Sequence, residues 1–463
     1  MRVTLAPMAS LGRREKLGYG VADLGASLSF VTLNTWLLYF LINIAGLEPL
    51  LAGIVFVAGR LFDALIDPLM GLFTDRRKHL WGRKPFIRFG AVPLGISFAL
   101  LWLVPDGGQG VRFVFALSLL LLFSLLYTVV QVPYMALTPE LATGYDERTE
   151  LTSYRMVFGV LASLVAVAVP PVIVGVFSGG GALASSSPMA WMVMGTLFAA
   201  VVAGSYLIMV ASVSEPAKSG AELAPSGVLA EYKAAFGVHG FPAVFALFVT
   251  ITVGIMIVNS MLPFFLESAL QLSSDQQPVV LGTLFGVAIL AFPLWNALSF
   301  RLGKRLALSL GLALLSATLV LLVGLARPGG FSTLLFAVTG LAGVGLSAVM
   351  MLPWAMLPDV VEFDELASGR RREGLLYALF TFGQKTAGSL GVFSNALAAS
   401  LFGYQAGVAA QTAETTQAIR LMVGLVAAVV LVIAIFLTWR YPITREAHET
   451  AQVQLKRRVM SDG

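Results

Sequence analysis

The chain of 463 residues contains no cysteine and few charged residues. Without cysteine it can form neither a disulfide nor a thiolate metal site. Charged residues make up 12% of the sequence and apolar residues 58%, whereas an ordinary soluble domain is roughly one quarter charged. A chain with so little charge cannot cover its apolar surface in water. The composition therefore excludes a soluble domain and favours a protein that lies in lipid.

Apolar runs long enough to cross a bilayer recur along nearly the whole chain. A membrane-spanning helix needs about 20 predominantly apolar residues. The basic N-terminus precedes an apolar run that is too long for a signal peptide, so it predicts a first helix that is retained. The predicted helices are 18–46, 49–74, 88–105, 112–137, 152–177, 188–212, 241–269, 277–299, 305–326, 331–357, 374–402 and 417–440. We expect an all-α membrane protein with twelve transmembrane helices.

Lysine and arginine are concentrated in the connections that follow even-numbered helices. The connection 75–88 holds six of them, and 301–305 and 369–372 are also basic, whereas 105–108 and 178–181 are rich in glycine. Cytoplasmic loops retain basic residues, so both termini are predicted to be cytoplasmic, in a bacterial cytoplasmic (inner) membrane. The formal net charge of +5 suits anionic membrane lipid and requires no nucleic-acid partner.

A long polar interval divides the predicted helices into two groups of six. We expect an N-terminal bundle in 1–213, a cytoplasmic linker in 214–240, a C-terminal bundle in 241–440 and a cytoplasmic tail in 441–463. Each group has a basic turn with a glycine after its second helix, Gly82-Arg83-Lys84 and Gly303-Lys304-Arg305. Two six-helix halves around a site near the bilayer midplane are typical of secondary transporters. Such a protein is expected to act as a monomer.

The second predicted helix contains three ionisable residues that lipid would not tolerate: Arg60, Asp63 and Asp67. Their spacing places all three on one helical face. Two carboxylates one turn apart offer hard oxygen ligands, which suit Na⁺ or a shared proton. Pro68 has no N–H, so a backbone carbonyl near Ala64 is left available. The alternative is a structural ion pair between Arg60 and one aspartate.

Other polar residues lie inside apolar runs. Thr128 and Gln131 belong to the fourth helix and Arg155 begins the fifth, and Lys385 lies well inside the eleventh, where it cannot easily reach the membrane surface. We expect Lys385 to pair with an anionic ligand, or alternatively with a carboxylate of the protein. Weaker candidates are Asn34, Asn259, Trp295, Asn296 and Trp354. The three histidines (His79, His239 and His448) lie in loops or tails, and no nucleophile and base are visible, which argues against an enzyme.

Several of these segments resemble one transporter family. They are Lys16-Leu-Gly-Tyr-Gly-Val-Ala-Asp-Leu-Gly25, Gly59-Arg-Leu-Phe-Asp-Ala-Leu-Ile-Asp-Pro-Leu-Met-Gly71, Trp81-Gly-Arg-Lys-Pro85, Val132-Pro-Tyr-Met-Ala-Leu-Thr-Pro-Glu140 and Asp359-Val-Val-Glu-Phe-Asp-Glu365. In this order they resemble the glycoside-pentoside-hexuronide:cation symporters of the major facilitator superfamily, from about residue 14 to 440. The resemblance implies alternating access, driven by Na⁺, Li⁺ or H⁺, and no cofactor besides the coupling ion.

The resemblance also implies roles for particular residues. Asp63, Asp67 and Thr128 match the cation-binding residues of the family, and they would be the metal ligands if the ion is Na⁺. Lys385 matches the family's lysine on the eleventh helix, and Arg155 matches an arginine near the sugar. Further substrate-binding candidates are Gln131, Ser27 and Trp354. Candidates for coupling or gating are Arg60, Asp23, Arg83 and Asp359.

The chain departs from the melibiose permeases of that family at the sugar-binding positions. A Lys-Asp pair on the first helix is replaced by Ala26 and Ser27, an aspartate on the fourth by Gln131, and a tryptophan by Met135. A galactoside would therefore bind poorly. With these carboxylates absent, Lys385 favours an anionic or zwitterionic substrate.

The sequence is also similar to the vertebrate Na⁺-dependent lysophosphatidylcholine carriers. The similarity includes the Asp-x-x-x-Asp-Pro pattern and Leu352-Pro-Trp-Ala-Met-Leu-Pro-Asp-Val360, together with the lysine on the eleventh helix. We therefore expect a cation-coupled symporter of a small molecule, with a sugar, glycoside or hexuronide as the first hypothesis. A Na⁺-dependent lysophospholipid transporter is the alternative.

Overall fold

The computed structural model describes residues 11–142, 145–214, 236–238, 240–325, 328, 332–368 and 373–442. Within these residues the chain forms twelve long helices. They are α1 (Arg13–Asn43), α2 (Pro49–Trp81), α3 (Lys84–Leu100), α4 (Gln109–Leu141), α5 (Tyr145–Ser178), α6 (Pro188–Ser212), α7 (Phe241–Ala269), α8 (Gln277–Leu302), α9 (Lys304–Leu325), α10 (Thr333–Ser368), α11 (Glu373–Leu401) and α12 (Ala413–Trp439). Their number and order match the prediction. Nearly all of the predicted linker 214–240 and tail 441–463 lies outside the described residues.

Two helices extend well beyond their predicted ends. The apolar pattern predicted that α2 ends at 74 and α10 at 357, whereas the helices continue to Trp81 and Ser368. With 33 residues, α2 is about 50 Å long, and the hydrocarbon core is only ~30 Å thick. Hydropathy marks only the part of a helix that is apolar enough for lipid. Both helices continue through charged last turns that are too polar for the hydrocarbon core.

Ten of the helices within the described residues are long and apolar enough to cross a membrane. The other two are α11 and α3, which has 17 residues. Large apolar side chains point outward along the helices; Leu290, Phe89 and Leu401 are 80%, 74% and 72% exposed. Such exposure would be unfavourable in water but is ordinary for side chains that contact lipid.

Three helices contain a π-helical turn: Leu33–Leu37 in α1, Phe265–Ala269 in α7 and Met422–Val426 in α12. A π turn inserts one extra residue into the helix, and such turns are frequent at functional sites. The turn in α1 coincides with the boundary between two compact units, because the first unit includes α1 up to Leu33 and the second begins at Asn34.

The first compact unit consists of the described residues within Met1–Leu33, Leu61–Gly180 and Ser186–Glu222. In this unit α1 packs against α5 and α6, and α4 packs against α3. The approach of α1 to α6 depends on Gly25, because a Cβ there would lie 2.1 Å from Ser205 Oγ. Small residues of this kind let helices pack closely in lipid.

The second compact unit consists of the described residues within Asn34–Arg60, Gly181–Ser185 and Leu223–Gly463. It contains the last residues of α1 and the first part of α2 together with α7 to α12. A Cβ at Gly53 of α2 would lie 2.6 Å from Ala396 Cβ of α11, so these two helices are also in close contact. The predicted division of the chain at 214–240 stays a prediction.

Candidate functional site

The predicted cation ligands of α2 and α4 meet within the first unit. The Thr128 hydroxyl donates a hydrogen bond to Asp67 Oδ1 over 2.7 Å. Asp63 lies one turn before Asp67 on α2, and it is only 5% exposed. The face of α2 with the two aspartates is therefore turned away from lipid, as the spacing of the charges predicted. Asp67 and Thr128 thus bring two hard oxygen ligands together, and Asp63 lies one turn away on the same helix.

The side chains at this place offer oxygen ligands of one kind. Carboxylate and hydroxyl oxygens are hard ligands, which suit small hard cations. Two neighbouring carboxylates can also share one proton, because both are unfavourable in the charged form together.

Arg155 forms an ion pair with Asp23, which joins α5 to α1 in the first unit. Arg155 Nη2 lies 3.2 Å from Asp23 Oδ1, and both side chains are 15% exposed. The guanidinium also lies over the Tyr134 ring at 5.2 Å, a cation–π contact. The sequence predicted Arg155 as a substrate ligand and Asp23 as a coupling residue. The structure brings them together as one charged pair.

Ser27 belongs to the same cluster. A Cβ at Gly159 of α5 would lie 2.9 Å from Asp23 Oδ2 and 3.0 Å from Ser27 Oγ. The missing side chain at Gly159 therefore lets α5 approach the polar face of α1. On α4, Gln131 accepts a hydrogen bond from the Tyr206 hydroxyl over 2.8 Å. Ser27 and Gln131 thus occupy a mostly neutral polar environment that includes one ion pair.

Two tyrosines that were not predicted as site residues join α1 to α4 by hydrogen bonds. The Tyr19 hydroxyl donates to the backbone carbonyl of Tyr134 over 2.8 Å, and the Tyr134 hydroxyl donates to the carbonyl of Tyr19 over 3.0 Å. Both side chains are fully buried. Each tyrosine lies in a segment that carries the family resemblance. This resemblance was the feature of the sequence that could have identified them.

The predicted substrate residues of the second unit are Lys385 and Trp354. Lys385 is half-buried near the middle of α11. The Trp354 ring contacts Phe248 and Phe380 edge-on, with centroid distances of 5.1 and 5.4 Å, and those two phenylalanines stack at 3.7 Å. Trp354 therefore belongs to an aromatic cluster that joins α10 to α7 and α11. Arg60, predicted as a coupling residue, donates to Asn34 Oδ1 over 3.2 Å in the same unit.

The predicted gating residue Arg83 pairs with Glu140, with Nε and Oε1 3.0 Å apart. The next residue, Lys84, donates to the carbonyl of Val213 at the end of α6 over 2.6 Å. Both contacts follow Gly82, which has a φ of +74°. The turn between α2 and α3 is thus fastened to the ends of α4 and α6.

The predicted gating residue Asp359 has the same arrangement in the second unit. Lys304 Nζ lies 2.7 Å from Asp359 Oδ1, and Arg305 donates to the carbonyl of Trp439 at the end of α12 over 2.9 Å. These contacts follow Gly303, which has a φ of +80°. Tyr441 also donates to Asp359 over 3.0 Å; burial and the nearby carboxylate raise the pKa of its hydroxyl, so it remains a donor.

Comparison with known proteins agrees with this architecture. Residues 18–445 match the model of the family described as MFS/sugar transport protein. An uncharacterized symporter of Synechocystis is 30% identical, with 96% of each chain covered. The sodium-dependent lysophosphatidylcholine symporter 1-A of Danio rerio is 25% identical, with 96% of this chain and 88% of that protein covered. The isoprimeverose transporter of Lactiplantibacillus pentosus is 24% identical, with 88% and 84% covered.

Solved structures show the same fold at lower sequence identity. A bacterial homolog of the human lysosomal transporter Spinster, in an inward-facing and unoccupied conformation, has a TM-score of 0.69 at 14% identity, with 93% of this chain and 97% of that chain covered. The nucleoside transporter NupG has a TM-score of 0.65 at 14% identity, with 92% and 99% covered. The predicted fold and family are confirmed, and these relatives are transporters, not enzymes. The chain belongs to the MFS/sugar transport protein family and is a symporter of the major facilitator type.

Proposed function

We propose that this symporter couples substrate movement to Na⁺ or H⁺ through Asp63, Asp67 and Thr128. The observation that carries the proposal is the 2.7 Å hydrogen bond between the Thr128 hydroxyl and Asp67 Oδ1. It joins two helices at the residues that the charge pattern and the family resemblance both single out. Alternating access then moves the cation and the substrate together.

The charges explain why a cation is needed. An aspartate in a membrane span costs at least ~2.5 kcal/mol on insertion scales, and two carboxylates one turn apart also repel each other. A bound cation or proton removes one negative charge from α2. Ion binding thus changes the electrostatic cost of moving α2 between conformations. Symport follows if the protein changes conformation readily only when the ion and substrate sites are both filled or both empty.

We propose a sugar, glycoside or hexuronide as the substrate. The family is described by sugar transport, and one relative is named as an isoprimeverose transporter. In the first unit, Asp23, Arg155 and Gln131 supply donors and acceptors of the kind that bind hydroxyl groups. Lys385 adds a positive charge in the second unit, which favours a carboxylate on the sugar. Lys385, Arg155, Gln131, Ser27 and Trp354 remain the proposed substrate residues.

A lysophospholipid is the second candidate. One of the relatives reported above is named as a sodium-dependent lysophosphatidylcholine symporter, and it is 25% identical to this chain. A half-buried lysine on α11 suits a phosphate head group as well as a carboxylate. The aromatic cluster of Trp354, Phe248 and Phe380 would suit an acyl chain.

Uptake into proteoliposomes separates these candidates. The radiolabelled compounds are a glucuronide, a neutral methyl glycoside and lysophosphatidylcholine, each measured with a Na⁺ gradient, a proton gradient and no gradient. We expect gradient-stimulated uptake of the glucuronide, lost in Asp67→Asn and retained in the control Asp106→Asn, an exposed carboxylate between α3 and α4. Stimulated uptake of lysophosphatidylcholine alone would establish the second candidate, and equal uptake without any gradient would refute coupling.

The proposed location is the cytoplasmic membrane, with both termini in the cytoplasm. Because the chain has no cysteine, single cysteines introduced at Ser178 and Ser214 report their own side without background. An impermeant thiol reagent added to cells should label the first and not the second. The opposite pattern would reverse the orientation.

A further inference from the structure

A buried glutamate outside the proposed cation site lies at the end of α7. Glu267 is 1% exposed and belongs to the π-helical turn Phe265–Ala269. Its Oε1 accepts a hydrogen bond from the Ala184 backbone N–H over 2.8 Å, and its Oε2 accepts one from the Tyr39 hydroxyl. All of these residues belong to the second unit. A carboxyl group in this place needs an explanation, because a buried charge is unfavourable without a partner or a function.

No cation compensates Glu267 among the residues that the structure describes. The ion pairs found there join other residues, and the nearest basic side chain on the adjoining α12, Arg420, donates to the carbonyl of Ala269 over 3.4 Å. The groups that face the carboxyl are hydroxyl and amide donors. Hydrogen bonds from such donors stabilise a negative charge on the carboxyl.

The partner of Glu267 belongs to the buried end of α1, which makes polar contacts with several parts of the second unit. The segment Asn34–Asn43 of α1 is buried throughout; Trp36, Tyr39 and Phe40 are each 0% exposed. Besides Tyr39, Thr35 donates to Asn259 Oδ1 over 3.0 Å on α7. Of the side chains in these two contacts with α7, Glu267 is the acidic one.

A second tyrosine holds the end of the same segment. The Tyr404 hydroxyl donates to Asn43 Oδ1 over 3.0 Å, and the Gly407 N–H donates to the same oxygen over 3.2 Å. Burial, with a further contribution from the negative charge of Glu267, raises the pKa of Tyr404, so its hydroxyl remains a donor. Phe264 contacts both tyrosines edge-on, at 5.1 Å from Tyr39 and 5.2 Å from Tyr404. The glutamate and the two tyrosines thus form one cluster around the end of α1.

We propose that Glu267 is a proton-binding site, separate from Asp63 and Asp67, whose protonation weakens the attachment of the segment Asn34–Asn43 to α7. Protonation removes the negative charge that strengthens the hydrogen bonds from the Tyr39 hydroxyl and the Ala184 N–H, and bonds to a neutral carboxyl are roughly half as strong. The attachment of the segment is then weakened. A π turn lies beside each partner, at Leu33–Leu37 in α1 and at Phe265–Ala269 in α7, where helices can change register most readily. Acid would thus loosen the second unit, whichever substrate or ion the protein carries.

The test uses a cysteine at a buried position of the second unit, which a reagent reaches only when the packing there loosens. Ala396 on α11 is 0% exposed and lies beneath Gly53 of α2. Ala396→Cys gives a single thiol, and Gly108→Cys, in the exposed loop between α3 and α4, corrects for the intrinsic pH dependence of thiol labelling. Purified protein in detergent is labelled with a maleimide from pH 8 to pH 5, and the ratio of the two rates is recorded.

We expect the ratio to rise severalfold on acidification. With Glu267→Gln, which mimics the protonated form, the ratio should be raised at pH 8 and independent of pH. Glu48→Gln, an exposed carboxylate between α1 and α2, should behave as the unmodified protein. A constant ratio in the unmodified background, or an unchanged pH response in Glu267→Gln, would overturn the proposal.

Tyr39→Phe keeps the test decisive if Glu267→Gln does not fold. It removes one donor to the carboxylate and should raise the ratio at pH 8. If Tyr39→Phe labels like the unmodified protein at every pH, the proposed attachment is wrong. Labelling is measured without substrate or an ion gradient, so this result is independent of the uptake panel.

Discussion

Arg83 and Lys304 occupy the same position in two copies of one structural motif. Each follows a glycine with a positive φ, and each pairs with an acidic residue that directly follows a proline: Glu140 over 3.0 Å for Arg83, and Asp359 over 2.7 Å for Lys304. The basic residue that comes next in the chain binds a carbonyl at the end of α6 or α12. The weak repeat in the sequence therefore corresponds to matching contacts in both units.

These ion pairs are expected to control the rate of the conformational change. Asp359→Asn removes the negative charge that faces the Lys304 ammonium and should lower the maximal uptake rate without changing the substrate concentration at half-maximal rate. The exchange Lys304→Asp with Asp359→Lys should recover part of the rate, because the pair is restored with its charges reversed. The initial rate against substrate concentration gives the answer, with Asp275→Asn, an exposed carboxylate, as the control. A changed affinity at an unchanged maximal rate would place Asp359 in substrate binding instead.

Removal of the Thr128 hydroxyl is expected to weaken cation binding. Thr128→Val retains the shape of the side chain but leaves Asp67 Oδ1 without its 2.7 Å donor and without a hydroxyl ligand beside it. We expect the cation concentration for half-maximal uptake to rise by about tenfold, or ~1.4 kcal/mol, the scale of one hydrogen bond to a charged group. Thr128→Ser should remain close to the unmodified protein. If both variants respond alike, the hydroxyl is not a ligand.

The ion pair between Arg155 and Asp23 is expected to stabilise the first unit only as a pair. Asp23→Asn leaves a guanidinium that is 15% exposed without its counter-charge, and breaking a buried pair costs up to about 3–5 kcal/mol. Asp23→Asn combined with Arg155→Gln should recover part of that loss. Thermal unfolding in detergent measures all three variants as a double-mutant cycle. Additive losses would mean that the two charges do not interact.

Substitution of Lys385 distinguishes the two kinds of substrate charge. If Lys385 binds an anionic group, Lys385→Ala should weaken binding of the glucuronide by ~1–3 kcal/mol, and Lys385→Arg should retain part of it. Equilibrium binding is measured with the cation at saturation, so that an effect on the cation site does not enter. Unchanged binding of a neutral glycoside by Lys385→Ala is the matched control. Equal losses for both sugars would indicate that Lys385 supports the structure around the site.

The sequence predicted the number and order of the helices because apolar runs separated by charged turns are a direct property of the chain. It predicted the shared face of Asp63 and Asp67 for a similar reason, since both lie on one helix with a known period. Helix ends were less predictable. The last turns of α2 and α10 are charged, and a hydropathy pattern marks only the apolar part of a helix.

Contacts between helices could not be predicted from periodicity. Asp23 and Arg155 are separated by 132 positions in the chain, and their pairing depends on how α1 packs against α5. Glu267 was missed because a single glutamate at the end of an apolar run is ordinary where a helix leaves the membrane. Only the packing of Tyr39 and the Ala184 N–H against it shows that it is buried.

The burial of α1 has a consequence for the synthesis of the protein. The most apolar stretch of α1 has a mean hydropathy of 1.4 and is 83% buried, whereas that of α12 has a mean hydropathy of 3.0 and is 44% buried. Of the described helices, α1 is therefore among those least able to remain in lipid alone. Its partners on α5 and α6 are translated more than a hundred residues later. Until then α1 needs the translocon or a membrane chaperone, so defects in α5 or α6 would first be observed as failed insertion of α1.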